Sequence, residues 1–207
     1  MKRIGKGLQF IVYDKENGKV LKIPTSKLQI KLRLIKWHPL YLIKFFELEK
    51  YASRVVNERT LTIEKMKTER LDSSLFANLK IEKGHIEQDK VIPLGKIINK
   101  NPRKLIDRYI DFILNSWKSG FSERTYNFTI NNGINKEGRI VLIDFGEITF
   151  NKDEVKKAIL SKRWRRSWSF NKDLQPDIKE YYDKQMEKRI TLANINKKWK
   201  VAPVHAK

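Results

Sequence analysis

The chain has 207 residues, 40% of them hydrophobic and 11% aromatic, which is enough to bury a core and argues against global disorder. Its 45 Lys and Arg against 24 Asp and Glu give a formal charge of +21, a balance that attracts phosphate, nucleic acid or anionic lipid without fixing a fold. The absence of cysteine excludes disulfide scaffolds, Cys-ligated zinc, iron–sulfur clusters and thiol nucleophiles, and three scattered histidines (His38, His85 and His205) do not make a His-rich metal site.

The opening reads as strand, loop, strand. Leu8–Tyr13 is apolar and β-branched, Asn17-Gly18 is a hairpin signal, and Val20–Ile23 returns as a second strand stopped by Pro24. Gly5-Lys6-Gly7 precedes the first strand. Residues 17–46 carry seven basic side chains and no acid. Within them Leu28, Ile30, Leu32 and Leu34 alternate with polar residues, a strand-like period, with a short helix as the alternative. The apolar run Pro39–Phe46 is too short to span a bilayer and contains Lys44. With no apolar leader at Met1–Gly5, a soluble, cytoplasmic protein without membrane insertion is expected.

A helix is expected over about 44–67, with Leu48, Ala52, Val55 and Val56 on one face and Glu58 three residues beyond Val55. Two short β pieces follow, Leu75–Ile81 and His85–Ile92, joined at Lys83-Gly84 and closed by Pro93-Leu94-Gly95. Asn101-Pro102 starts a helix whose apolar positions, from Leu105 to Trp117, keep a 3.6-residue period, and Gly120 stops it. Phe128–Ile130 and Ile140–Ile143 then read as a hairpin with turn chemistry at Gly133 and Glu137-Gly138. From Lys152 the pattern is helical, Pro176 opening a helix with Ile178, Tyr181, Tyr182 and Met186 on one face. The tail from Lys197 to Lys207 is basic.

The informative segment is Arg139–Glu147, in which a buried strand ends in Asp144-Phe145-Gly146. An acid at a strand end can hold a metal ion against a polyphosphate, and the glycine lets the chain turn. As a bare tripeptide this is an ordinary turn; its context raises its weight. Gly5-x-Gly7-x-x-Phe10-x-Val12 matches the glycine loop of protein kinases except at the third glycine, and Lys22 sits at the end of the next strand. A helix with an acid, two strands, a Pro-Leu-Gly connector, a long helix, Asn127 and the Asp-Phe-Gly strand follow in that order.

From about Ile4 to Glu147 the chain therefore resembles the protein-kinase-like superfamily, closer to its small atypical bacterial and archaeal members than to large eukaryotic kinases. The resemblance implies an α+β fold of two lobes: a small β-rich nucleotide-binding lobe over 1–98 and a reduced, mostly helical lobe over 99–207. It implies ATP and Mg²⁺ as cofactors. Gly5, Gly7 and Val12 would cover the nucleotide, Lys22 would meet its phosphates with Glu58 (or Glu64) as partner, and Val91–Leu94 would be the hinge receiving adenine. Asn127 and Asp144 would hold Mg²⁺. One departure is serious. Five residues before Asn127, where the family has its aspartate base, stands Ser122. Three readings stay open: Glu123 as base, transfer by positioning and charge alone, or a nucleotide-binding pseudokinase. No Ala-Pro-Glu follows Asp-Phe-Gly, so the usual protein-substrate segment is not evident.

The segment Ser161–Phe170 interleaves cations with Trp164, Trp168 and Phe170, a composition that binds single-stranded nucleic acid or other polyanions. The competing reading packs these rings in the second lobe and leaves the cations in water. Residues 161–207 hold 13 basic and 5 acidic side chains, so the positive field runs to the end of the chain.

Overall fold

The computed structural model describes residues 1–69 and 71–200. The chain is α+β and divides into two compact units: Met1–Arg70 with Asn78–Lys90, and Leu71–Ala77 with Val91–Lys207. The first unit ends at Lys90, earlier than the expected 98, and the excursion 71–77 belongs to the second. The cause is local packing. Phe76 packs against Phe121 with tilted rings and centroids 4.9 Å apart, and Ile92 and Pro93 pair with Ile134 and Gly133.

The first unit is built on five antiparallel strands. These are β1 (Lys2–Lys6), β2 (Phe10–Asp14), β3 (Lys19–Pro24), β4 (Lys80–Glu82) and β5 (His85–Asp89), in the order β1-β2-β3-β5-β4. The sheet thus begins one strand earlier than the sequence suggests: the residues before Gly7 are themselves a strand, and Gly7 N–H donates to the Phe10 carbonyl at 2.9 Å to close the turn. Gly18, at φ 78°, makes the expected second turn, and Gly84, at φ 84°, the third.

Residues 27–37 form a helix, α1 (Lys27–Trp37), and not a strand. A capping box starts it: Gln29 N–H donates to Ser26 Oγ and Ser26 N–H to Gln29 Oε1, both at 3.2 Å. Ile30 and Leu34 then pack on Leu48, Ala52 and Val55 of α2 (Phe45–Thr68), the helix expected at 44–67.

In the second unit a short strand, β6 (Ile92–Pro93), leads to α3 (Pro102–Lys118), whose apolar face is buried from Leu105 to Trp117 as the period predicts. Next come β7 (Ser122–Glu123), a single helical turn α4 (Phe128–Asn131), β8 (Asn132–Ile134) and β9 (Ile140–Leu142). β10 (Ile148–Thr149) pairs with β7, and β6-β8-β9 form a three-stranded sheet. The expected partner strand at 128–130 is therefore helical, and the hairpin begins at Asn132. The Asn127 carbonyl accepts the amides of Ile130 and Asn131, at 3.0 and 2.8 Å, which curls the chain there. The chain ends in α5 (Lys152–Leu160), α6 (Pro176–Arg189) and α7 (Leu192–Lys198). Trp164 is buried, donating to Asp183 Oδ1 at 2.8 Å, and Phe170 is half-buried beside Tyr182. Trp168 alone of the three rings is exposed. His205 and the end of the basic tail lie outside the described residues.

Candidate functional site

In the first unit, strand register aligns three of the expected nucleotide-binding residues. Gly5 lies opposite Val12, and Val12 opposite Lys22, which in turn faces Ile86. Directly opposed residues of antiparallel strands project to the same face, so these positions form one row across four strands. Glycine is needed at this end of the row for close strand packing: a Cβ on Gly5 would lie 3.3 Å from Val12 Cβ, tighter than ordinary contact. Lys22 is 7% exposed, on the face that also buries Phe10, Val20 and Ile86. Sequence supplies the reason for this position. Alternation in Val20-Leu21-Lys22-Ile23 puts Val20 and Lys22 inward and leaves Ile23 at the surface. Gly7 sits at the exposed turn between β1 and β2.

Glu58 is only half-withdrawn. Its side chain is 42% exposed, with Arg54 Nε 4.0 Å away, and Glu64 is exposed. The buried charge on α2 is the next residue. Arg59 donates through Nη1 to the carbonyls of Gln9 (2.9 Å) and Thr25 (2.7 Å), and its guanidinium lies over the Phe10 ring. It thereby ties α2 to the start of β2 and the end of β3. Nothing in the 3.6-residue pattern marks Arg59, because a long cationic side chain on a buried face is not a periodicity signal.

In the second unit Val91–Leu94 is held by the β8–β9 hairpin. A Cβ on Gly133 would fall 2.6 Å from Val91 Cγ2 and 2.9 Å from the Ile92 carbonyl, so only glycine allows this approach. Leu94 is fully buried.

Asp144 follows β9 and is half-buried. Its Oδ1 accepts the Gly146 N–H at 3.0 Å, which shapes the turn Phe145–Glu147. The asparagine that meets it through the backbone is Asn131: the Asn131 carbonyl accepts the amides of Ile143 (2.7 Å) and Asp144 (3.1 Å). Asn127 is engaged elsewhere, its Oδ1 accepting the Trp168 N–H at 2.6 Å. So an Asn does stand beside the Asp-Phe-Gly strand end, four positions later than the sequence reading put it. Counting five back from Asn131 reaches Tyr126, a buried residue at φ 55° whose hydroxyl has no hydrogen-bond partner among the described residues.

The loop's one carboxylate, Glu123, is 3% exposed. It accepts from Tyr109 Oη (3.0 Å), Asn131 Nδ2 (2.8 Å) and Asn132 Nδ2 (3.0 Å). Burial pushes its pKa up, against the pull of those donors, and burial likewise raises the neighbouring Tyr109, Tyr126 and Tyr182. A carboxyl so enclosed organises α4 and the start of β8, not an incoming hydroxyl. Ser122, at the expected base position, is also buried, with Trp117 Nε1 donating to it at 3.1 Å.

A cleft of about 280 Å³ in this unit brings Arg124, Lys157 and Arg163 near Glu154, whose carboxylate accepts Thr149 Oγ1 at 2.6 Å. The carboxylate offsets part of that positive charge. Among the described residues no cluster of three or more acidic or His side chains is placed to hold a bare metal ion. The half-buried Asp144 carboxylate instead offers hard oxygen atoms of the kind Mg²⁺ takes when phosphates supply the rest of its shell. No protein-family model matches the chain, and no curated protein matches it.

Proposed function

We propose that the protein is an ATP- and Mg²⁺-binding, kinase-like phosphotransferase. The observation that carries this reading is the row Gly5–Val12–Lys22: a side-chain-free position on β1 and a buried lysine on β3, in register across β2. Such a row gives a fixed point charge for nucleotide phosphates. Asp144, at the end of β9 beside Asn131, is the carboxylate for Mg²⁺. When bound, Mg²⁺ neutralises phosphate charge. The chain's own residues position the groups: Glu123 fixes Asn131, and Asn131 fixes the backbone of Asp144.

Nucleotide binding without transfer is the second reading. It is favoured by a specific observation: residues 122–131 contain no carboxylate other than the enclosed Glu123. Both readings predict a rise in melting temperature with millimolar Mg-ATP. The rise should vanish in Lys22→Ala and in Asp144→Ala while each variant's own melt stays cooperative. No rise in the folded wild-type protein would refute both. Transfer of labelled γ-phosphate to the protein or to a substrate panel separates them, and label recovered as AMP would indicate nucleotidyl transfer instead.

A further inference from the structure

The stretch joining α1 to α2 is unusual for a water-exposed surface. Trp37, Leu40, Leu42, Ile43, Phe45 and Phe46 are all exposed, Ile43 at 82% and Phe46 at 89%. Leu28 and Leu32, one turn apart on the outer side of α1, are exposed as well. The core beneath is already filled by Ile30, Leu34, Leu48, Ala52 and Val55, so these outer side chains are not needed to close it. Contiguous exposed apolar side chains of this kind mark an interaction surface.

Charge selects the partner. From residue 17 to 46 there is no carboxylate; Lys36 and Lys44 flank the apolar tip, Lys44 with the exposed Glu47 at 3.4 Å. The nearby Lys27 and Lys31 share a single carboxylate, Glu49. A second copy of the chain would bring the same cations, and a net charge of +21, against themselves. Form points the same way. The apolar residues occupy a 3-10 turn, Pro39–Leu42, and the consecutive positions around it, so they project from a connection rather than line a groove for a partner helix. Large apolar side chains at a tip, a tryptophan and a tyrosine (Trp37, Tyr41) behind them and lysines alongside match the layered chemistry of a bilayer surface. No described helix is long and apolar enough to cross a membrane, so the contact is with the surface.

We propose that the connection between α1 and α2 docks the protein on an anionic lipid bilayer. Leu42, Ile43, Phe45 and Phe46 enter the boundary between headgroups and acyl chains, while Lys36 and Lys44 meet lipid phosphates. This is independent of nucleotide binding.

The test is flotation of the full chain with vesicles of about 3:1 phosphatidylcholine to phosphatidylglycerol, against phosphatidylcholine alone. The wild-type protein should float with the anionic vesicles and much less with the neutral ones. The double variant Ile43→Glu/Phe46→Glu should lose about tenfold or more of that binding. Lys36→Glu/Lys44→Glu should reduce it too. Since all four side chains point into water, each variant should melt like the wild type by circular dichroism, which separates lost docking from lost folding. Three outcomes would overturn the proposal: no flotation of the wild-type chain, flotation unchanged in Ile43→Glu/Phe46→Glu, or a lipid-free dimer in sedimentation that this double variant abolishes. The last would assign the surface to a second copy.

Discussion

Glu123 shows how burial decides what a carboxyl can do. Sequence alone offers it as the substitute base, because it stands next to the position where an aspartate is expected. In the fold it is enclosed by Tyr109, Asn131 and Asn132 and spends its acceptor capacity on them. Its folded pKa is raised above the ordinary 4.5 by burial. The native state therefore holds the proton to higher pH than the unfolded chain does, and stability falls as pH rises from about 4.5 through the raised value. Glu123→Gln has no proton to hold and loses this dependence. Urea unfolding of both proteins between pH 4.5 and 8 should show the wild type losing stability relative to Glu123→Gln as pH rises, with tyrosines too weakly acidic to contribute in that range. A gap that stays constant with pH would mean the carboxyl does not titrate as a buried group.

At the scale of elements, α2, α3 and α6 were legible because each keeps one apolar face at helical spacing, and α2 falls within about a residue of its expected span. α1 was not, for a definable reason. Ile30 and Leu34 face the core while Leu28 and Leu32 face water, so two pairs four residues apart on opposite sides of a helix imitate the alternation of a strand. α4 is a single turn, too short to leave any period, and it moved the asparagine that meets Asp144 from 127 to 131. The inward position of Lys22 follows from alternation along β3, which the sequence carries; the partners of Glu123 do not follow from it, because they depend on that turn.

The two buried arginines of α1 and α2 were likewise invisible, and they make opposite predictions. Among the described residues Arg33 Nε and Nη2 have no hydrogen-bond partner, and its Nη1 reaches Thr25 Oγ1 at a long 3.4 Å. Arg59 satisfies two backbone carbonyls. Arg33→Met should leave the melting temperature unchanged or raise it, since it removes a poorly compensated buried charge. Arg59→Met should cost roughly 2–3 kcal/mol in urea unfolding, because a charged donor to two carbonyls is lost.

For the whole molecule, the charge of +21 is shaped by how few carboxylates must serve many cations. Glu49 is shared by Lys27 and Lys31, Glu87 by Lys15 and Lys19, and Glu187 by Lys162 and Arg165. Hydrogen bonds from Lys27 and Lys31 lower the Glu49 pKa to about 2, and those from Lys15 and Lys19 lower Glu87 to about 2. A depressed carboxylate pKa contributes stability that is present above the unfolded value of 4.5 and is lost as pH falls toward about 2. Over the same window the remaining acids protonate, and the repulsion among 45 Lys and Arg loses its counterweight. The two effects add, so acid unfolding should be steep and should occur between about pH 4.5 and 2. Salt should oppose the repulsion more than it weakens these exposed pairs, because the unbalanced charge is spread over many sites whereas the pairs are few. The acid-unfolding midpoint, followed by circular dichroism, should therefore move to lower pH when about 0.3 M sodium sulfate is added, sulfate being both a screening anion and a ligand for paired cations. A midpoint that moves to higher pH would show that the shared-carboxylate pairs, and not the net charge, govern the acid limit of the fold.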